Sequence, residues 1–326
     1  MVTCRHAPWR RLRAGRRFAH TLDESSGRRQ GRGRFLGVRV NGYVETRANV
    51  PMAPDMPYES AKNTIFETVS DDPGQPILTL ENVSVNFGGL RALHEVSFQV
   101  ASGEIIGLIG PNGAGKTTAF NVACGFVKPT RGLVRYPFIN KTNLHPNQLA
   151  RARVARTLQG VGLFPHCSVL ENVMAGGQTR AEGGFFTSLT ASPRGIRAER
   201  RLRDDALSML ERLGVANVAR ELPSEIPYGT AKKVSVARAL MCEPKLLMLD
   251  EPASGLDGAE LSDFAALIVS LRASMGILLV EHNMDFVMPL VERLVVLNFG
   301  EVIAQGTPNE VRENEAVVAA YLGVAQ

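Results

Sequence analysis

From Ile77 onward, hydrophobic positions follow two alternating rhythms. The stretch Ile77–Val85 is short and rich in β-branched residues, which predicts a strand. Gly88-Gly89 marks a turn, and Val96–Val100 alternates apolar with polar as a second strand. After a turn at Gly103, the unbroken apolar run Ile105–Ile109 predicts a buried strand, with a helix from about Gly115. From Leu170 to about Arg220 the period becomes helical, apart from a Gly/Ser/Pro-rich interruption at Gly183–Gly195. Leu202, Ala206, Leu210 and Leu213 form one apolar stripe there, while Arg201, Arg203, Asp204, Asp205 and Glu211 can face water. Leu246–Leu249 then predicts a strand, Leu261–Leu271 a helix and Ile277–Val280 a strand. The rhythm from Gly103 to Val280 fits a mostly parallel sheet with helices on its faces and a helical insertion. No internal repeat is apparent.

Residues 1–76 behave differently. They carry Arg/Gly-rich stretches such as Gly27–Arg34 and no sustained periodicity, so they read as a basic, disordered extension to a domain spanning 77–326. No apolar segment follows the arginines to make a secretory signal. Three readings of this tail stand side by side: solvated disorder, contact with anionic lipid or nucleic acid, and a translation start at Met52 or Met56.

Composition narrows the class. Of 326 residues 44% are hydrophobic and 21% charged, the balance of a folded soluble protein. The formal charge of +5 misleads, because residues 1–50 hold 12 arginines against 3 acids, leaving −4 for residues 51–326. The body therefore has no global electrostatic support for nucleic-acid binding. Cys4, Cys124, Cys167 and Cys242 lack the spacing of a zinc site or a disulfide scaffold. No apolar run reaches the ~18 residues of a membrane span, so the chain is not itself a channel or permease.

The chemistry starts at Gly110-Pro111-Asn112-Gly113-Ala114-Gly115-Lys116-Thr117, followed by Thr118. This is Gly-x-x-x-x-Gly-Lys-Ser/Thr, placed after a buried strand and opening a helix. Its glycines let backbone amides curl around phosphate oxygens, and the helix N-terminus adds unpaired donors and a positive potential. Lys116 can reach the β- and γ-phosphates of a nucleotide, and Thr117 can place its hydroxyl on Mg²⁺. Leu246–Leu249 ends in Asp250-Glu251-Pro252, so two carboxylates sit at the carboxyl end of a strand, where open α/β sheets carry their ligands. Asp250 is expected to reach Mg²⁺ through water beside Thr117. Glu251 is expected to face the γ-phosphate as general base or water-orienting group.

These segments together resemble the ATP-binding subunit of an ABC transporter over residues 77–326. The closest likeness is to the branched-chain amino acid importer type, a group that also serves urea and short amides. It is carried by Arg156-Thr157-Leu158-Gln159, Leu163–His166, Val169–Val173, Ile226-Pro227-Tyr228-Gly229, Glu281–Met284 and the end Val317–Gly323. The resemblance implies an ABC-type P-loop NTPase core, an N-terminal antiparallel β subdomain and a helical subdomain at about 160–240, with ATP and Mg²⁺ as cofactors. It implies that Phe87 stacks on adenine and that Gln159 touches Mg²⁺ and the attacking water. His282 would contact γ-phosphate, and Asp257 would lie in the segment that crosses to the partner's phosphate loop. Tyr228 and Gly229 would approach the ATP held by a second ABC ATPase subunit, paralogue or copy. Further implied partners are membrane permease subunits and, indirectly, a solute-binding protein, with the chain on the cytoplasmic face of the bacterial inner membrane.

The signature segment departs from the family's Leu-Ser-Gly-Gly-Gln and reads Ile226–Thr230. Thr230 is expected to cap a helix Ala231–Leu240. A soluble, non-transport ABC ATPase is the competing reading. It commonly carries two cassettes or a long coiled-coil insertion, whereas this chain has one phosphate loop and fewer than 70 residues between Gln159 and Gly229. A non-enzymatic nucleotide-binding subunit is disfavoured by the intact acidic pair and His282.

Overall fold

In the computed structural model, residues 74–157, 160–178 and 193–322 are described, all within the unit Pro57–Gln326. The basic tail, Leu158-Gln159, most of the Gly183–Gly195 interruption and the last four residues lie outside them.

Strands β1 (Pro76–Phe87) and β2 (Leu90–Ala101) pair antiparallel around the turn at Gly88-Gly89. β1 also pairs antiparallel with β4 (Arg131–Tyr136), which pairs with β5 (Lys141–Thr142), giving a four-stranded sheet. This is the expected antiparallel β subdomain. Its second strand is longer than the alternation at Val96–Val100 suggests.

The second sheet has six strands in the order β10-β9-β3-β8-β7-β6. β3 (Ile105–Ile109) lies between β8 (Gly276–Val280) and β9 (Arg293–Asn298), and β7 (Leu246–Asp250) lies between β8 and β6 (Val154–Arg156). All these pairs are parallel; only β10 (Glu301–Gly306) runs antiparallel, against β9. Every residue of β3, β7 and β8 is buried. Side chains alternate between two cores: Ile105, Leu247, Leu249, Ile277 and Leu279 in one, Ile106, Leu108, Met248, Leu278 and Val280 in the other. Burial on both faces explains the unbroken apolar runs, and each such side chain contributes about 1.5–3 kcal/mol.

One core joins this sheet to the β subdomain through helix α1 (Lys116–Ala123), whose Phe120 is fully buried with Leu80, Val83 and Phe98. The other supports the helical subdomain. There α2 (Val169–Gly177) begins with a capping box in which Ser168 accepts from Glu171 N–H. Asn172 is fully buried, accepts from Phe164 N–H at 2.7 Å and donates to the carbonyls of Phe164, Cys167 and Ser168. It thus fixes the loop that follows Gln159 in sequence. In α3 (Pro193–Arg212), Ala206 and Leu210, with Leu213 just beyond, are buried, while the charged residues named above are exposed. α2 packs closely on α4 (Tyr228–Leu240), since a Cβ at Gly176 would lie 1.9 Å from the Arg238 carbonyl oxygen.

Helix α4 starts earlier than the sequence suggests. Pro227 holds the N-cap position with ψ 151° and no side-chain cap, and Thr230 sits inside the first turn. The fixed φ of proline pre-sets the helix entry, so the hydroxyl is not needed as a cap. The other α-helices among the described residues are α5 (Gly258–Arg272), α6 (Met284–Val287), α7 (Pro308–Glu313) and α8 (Glu315–Leu322). No helix among the described residues is long and apolar enough to cross a membrane.

Candidate functional site

The strand order decides which residues meet. β3, β8 and β7 are adjacent and parallel, so their carboxyl ends open on the same edge: Gly110 after β3, Glu281 and His282 after β8, and Asp250 closing β7. Gly110 and Glu281, 171 residues apart in the chain, are thereby brought to one crevice.

The loop after β3 is tightly enclosed. Gly110 has φ 149°, and a Cβ there would lie 2.1 Å from the Leu297 carbonyl oxygen. Gly115, the residue before α1, has φ 100°, and a Cβ there would lie 2.8 Å from both Ala92 O and Leu93 Cδ2. Only glycine meets both the backbone and the space requirement at these positions. Among the described residues, the amides of Gly113, Gly115, Lys116 and Thr117 have no hydrogen-bond acceptor. Four such donors in one loop at a helix N-terminus fit a phosphate group. Lys116 Nζ donates to the carbonyls of Gly110 at 2.7 Å and Pro111 at 2.8 Å, which holds the ammonium over the loop. Burial lowers its pKa from the ordinary lysine value, and the nearby Glu251 carboxylate opposes that shift. Asn112, Gly113 and Thr117 are exposed and Pro111 and Thr118 half-buried, while Ala114 is buried against the core. The Thr117 hydroxyl and the Asp250 carboxylate are hard oxygen donors of the kind Mg²⁺ takes together with phosphate oxygens.

Asp250 is nearly buried, and burial raises its pKa, with the Arg156 guanidinium opposing and Glu251 and Glu281 reinforcing. Arg156 NH2 lies 3.9 Å from Asp250 Oδ2. It also stacks over Phe120 and Phe126 and donates to Asn121 Oδ1 on α1. Glu251 adopts the left-handed region, φ 47°, with its N–H donating to Val280 O at 2.9 Å. A non-glycine residue in that region is strained, and such strain concentrates at functional sites. The turn aims the Glu251 side chain back toward His282, whose Nδ1 lies 3.8 Å from Glu251 Oε1 and 3.7 Å from Glu281 Oε2. His282 is 60% exposed at its side chain and Glu251 34%, so both can meet a ligand.

Phe87 ends β1 and is 52% exposed, which rules out a core role. Tyr228 and Gly229 open α4. Gly229 N–H donates to Glu260 Oε1 at 3.3 Å, and the Tyr228 ring packs on Gly255, where a Cβ would lie 2.8 Å from Tyr228 Cε1. Asp257 caps α5, its Oδ1 accepting from Glu260 N–H at 2.9 Å while Glu260 reaches back to Asp257 N–H. Gln159 lies outside the described residues.

Three participants escape sequence reasoning. Lys232, on α4, is almost fully buried and donates from Nζ to the carbonyls of Glu251 at 3.3 Å and Pro252 at 2.5 Å. Glu281 is fully buried and accepts from Ala253 N–H at 2.7 Å, His282 N–H at 3.0 Å and Asn283 N–H at 3.3 Å. Arg156 completes the set. A charged residue inside an apolar pattern was the only available signal: Glu281 interrupts the run after Val280, and Lys232 falls on the helical stripe with Val236 and Ala239.

The chain matches known proteins over most of its length. A family described as ABC transporter covers residues 93–254, and one described as branched-chain amino acid ATP-binding cassette transporter covers 301–326. The high-affinity branched-chain amino acid transport ATP-binding protein LivG of Salmonella typhimurium is 41% identical over 253 residues, 77% of this chain and 99% of that protein. The chain belongs to the ABC transporter ATP-binding subunits. BraF of Pseudomonas aeruginosa, of the same description, is 38% identical over the same span. A nucleotide-free ATP-binding cassette from an ABC transporter superposes with a TM-score of 0.66 at 30% identity, covering 76% of this chain and 99% of that one. The ADP conformation of the cassette MJ1267 gives 0.65 at the same identity. The fold of this ABC subunit is thus the expected one: a P-loop core, a helical subdomain and an N-terminal β subdomain.

Proposed function

We infer that this subunit hydrolyses ATP to power an importer for branched-chain or related amino acids. The convergence of Lys116, Glu251 and His282 at the carboxyl ends of β3, β7 and β8 carries the reading. The branched-chain amino acid transport named for the LivG and BraF relatives, and the match over 301–326, support the solute class.

In this reading the amides of Gly113, Gly115, Lys116 and Thr117 cradle the phosphates, and Lys116 turns from its loop carbonyls to the β- and γ-oxygens. Phe87 offers its exposed ring to adenine. Thr117 and Asp250, with Gln159, would hold Mg²⁺, which when bound neutralises charge on the β- and γ-oxygens. Glu251 receives a proton from, or orients, the water that attacks the γ-phosphorus, and the bond to the bridging oxygen breaks with no covalent intermediate. His282 donates to a γ-oxygen and keeps Glu251 oriented. The N-terminus of α4 at Gly229, followed by Tyr228 and Asp257 along the same surface, faces the ATP of a second ABC ATPase subunit. Closure and reopening of that pair drives permease subunits fed by a solute-binding protein, from the cytoplasmic face of the membrane. The domain spans 77–326, and the basic extension before it is dispensable for hydrolysis.

The test is ATP hydrolysis and nucleotide binding by the full chain and by Lys116→Ala. Loss of the charge-assisted phosphate contact is expected to weaken binding and nearly abolish turnover. Affinity and turnover both left at wild-type level would sink the assignment. Co-purification of membrane partners, then ATPase stimulation by leucine, isoleucine, valine, urea and short amides, tests the solute class.

A further inference from the structure

Two buried charges remain without a part in the chemistry just described. Lys232 is 3% exposed and Glu281 0%. Both act on the same short turn. Lys232 Nζ collects the carbonyls of Glu251 and Pro252, and Glu281 Oε1 collects the next amide, Ala253 N–H, at 2.7 Å. The other oxygen of Glu281 holds the amides of His282 and Asn283. Glu281 and Glu251 are also the carboxylates whose field acts on the Lys232 ammonium. The turn being held is the strained one, with Glu251 at φ 47°. A left-handed glutamate persists only when its surroundings over-determine it.

Lys232 belongs to α4, one helical turn after Gly229 and Tyr228. The Tyr228 ring covers its ammonium, 5.3 Å from the ring centroid, and packs on Gly255 just beyond the turn. A rigid helix therefore carries at one end the segment that faces the partner's nucleotide and, a turn later, the cation that holds this subunit's own Glu251.

We propose that Lys232 and Glu281 are positioning residues that hold the Glu251–Ala253 turn and tie its placement to the helix beginning at Tyr228. Glu281 does the same for His282, so the general base and the γ-phosphate donor are set from one carboxylate. Movement of α4 when a partner's nucleotide docks on Gly229 then shifts the Glu251 turn through Lys232. This gives the two nucleotide sites a physical link within one subunit. The inference rests on the ATPase reading above, and its test separates the two.

The variants are Lys232→Met and Glu281→Gln, each made alone and together with Glu251→Gln, in the full chain. Amide exchange without nucleotide is the first readout. Exchange over residues 251–255 is expected to speed up by about tenfold or more in each single variant, with residues 110–118 unchanged. Single-turnover hydrolysis of Mg-ATP is the second. A misplaced base slows chemistry by about 10–100-fold, with ATP affinity held within about threefold because the phosphate loop is untouched. In the Glu251→Gln background neither substitution is expected to slow hydrolysis further, since residues acting through one group are not additive. Unchanged exchange over 251–255 would overturn the proposal, and so would an equal slowing in both backgrounds. Should Lys232→Met not fold, Glu281→Gln, which keeps size and one acceptor, carries both arms. A full chain that hydrolyses no ATP would instead defeat the ATPase reading, while the exchange arm still decides the clamp.

Discussion

Substituting Gly229 with Ala separates stability from the proposed function, because the structure supplies two opposing terms for the fold and the proposed pairing has one unopposed term. A Cβ at Gly229 would lie 2.5 Å from Glu260 Oε1 and 2.6 Å from its Cδ. Both are the far end of a side chain that can swing away. Doing so costs Glu260 its bonds to Gly229 N–H and Asp257 N–H, and loss of a helix cap of this kind costs about 1 kcal/mol. Against that, alanine is favoured over glycine in a helix by up to about 1 kcal/mol, and the backbone at Gly229 is not left-handed. The terms nearly cancel. The thermal midpoint is expected to move by no more than about 4 °C, the shift that ~1 kcal/mol produces in a domain of this size. The proposed pairing has no such compensation, because the added methyl and the displaced Glu260 reshape the α4 N-terminus on which a partner's γ-phosphate is proposed to dock. Size-exclusion chromatography of full-length Gly229→Ala in Mg-ATP, run beside calorimetric unfolding and nucleotide binding, reads all three quantities. ATP binding within about threefold of wild type is expected with loss of ATP-driven pairing, since Gly229 contacts Glu260 and the substitution leaves the residues of the phosphate loop unchanged. A variant that pairs and hydrolyses like wild type would refute the placement of Gly229 at a partner's nucleotide. A fall in midpoint well beyond 4 °C would show that Glu260 cannot yield and that the two-term balance is wrong.

Other outcomes follow from the same geometry. Glu251→Gln keeps size and hydrogen bonding but loses basicity, so single-turnover hydrolysis should slow by about 10²–10⁴-fold with ATP binding intact; wild-type hydrolysis would remove Glu251 from the mechanism. Asp250→Asn should instead raise the Mg²⁺ concentration needed for half-maximal hydrolysis, and an unchanged Mg²⁺ requirement would argue against its place as a ligand. Phe87→Ala, at a half-exposed ring with little packing to lose, should weaken nucleotide binding by about 1–3 kcal/mol with an unchanged thermal midpoint; equal affinity in a calorimetric titration would refute stacking. The Cys124 thiol is buried, and burial pushes its pKa up to about 12. It should therefore resist alkylation at pH 8, where its thiolate fraction is about 10⁻⁴, and should label only after denaturation, as peptide mapping would show.

The sequence by itself determined the elements whose physics is local. The apolar runs at Ile105–Ile109, Leu246–Leu249 and Ile277–Val280 predict buried strands, and every residue of β3, β7 and β8 is buried. The glycines and Lys116 between strand and helix point to an anion cradle in that context. The stripe through Ala206 and Leu210 fixed which face of its helix turns inward. Spacing also put Asp250-Glu251 at a strand end, and the family resemblance added His282. It failed at the start of α4, where a hydroxyl that looked like a cap was outranked by the fixed φ of Pro227.

What tertiary structure decided was adjacency. Nothing local says that β8 enters between β3 and β7, yet that order alone brings His282 to within 3.8 Å of Glu251. The roles of Lys232, Glu281 and Glu260 were likewise invisible, because a charged residue in a helix or after a strand reads as solvated until the packing around it is known. Their partners are backbone carbonyls and amides from segments distant in the chain. Backbone groups are the same at every position, so they leave no mark in the sequence, and only the fold selects which of them a buried charge must satisfy.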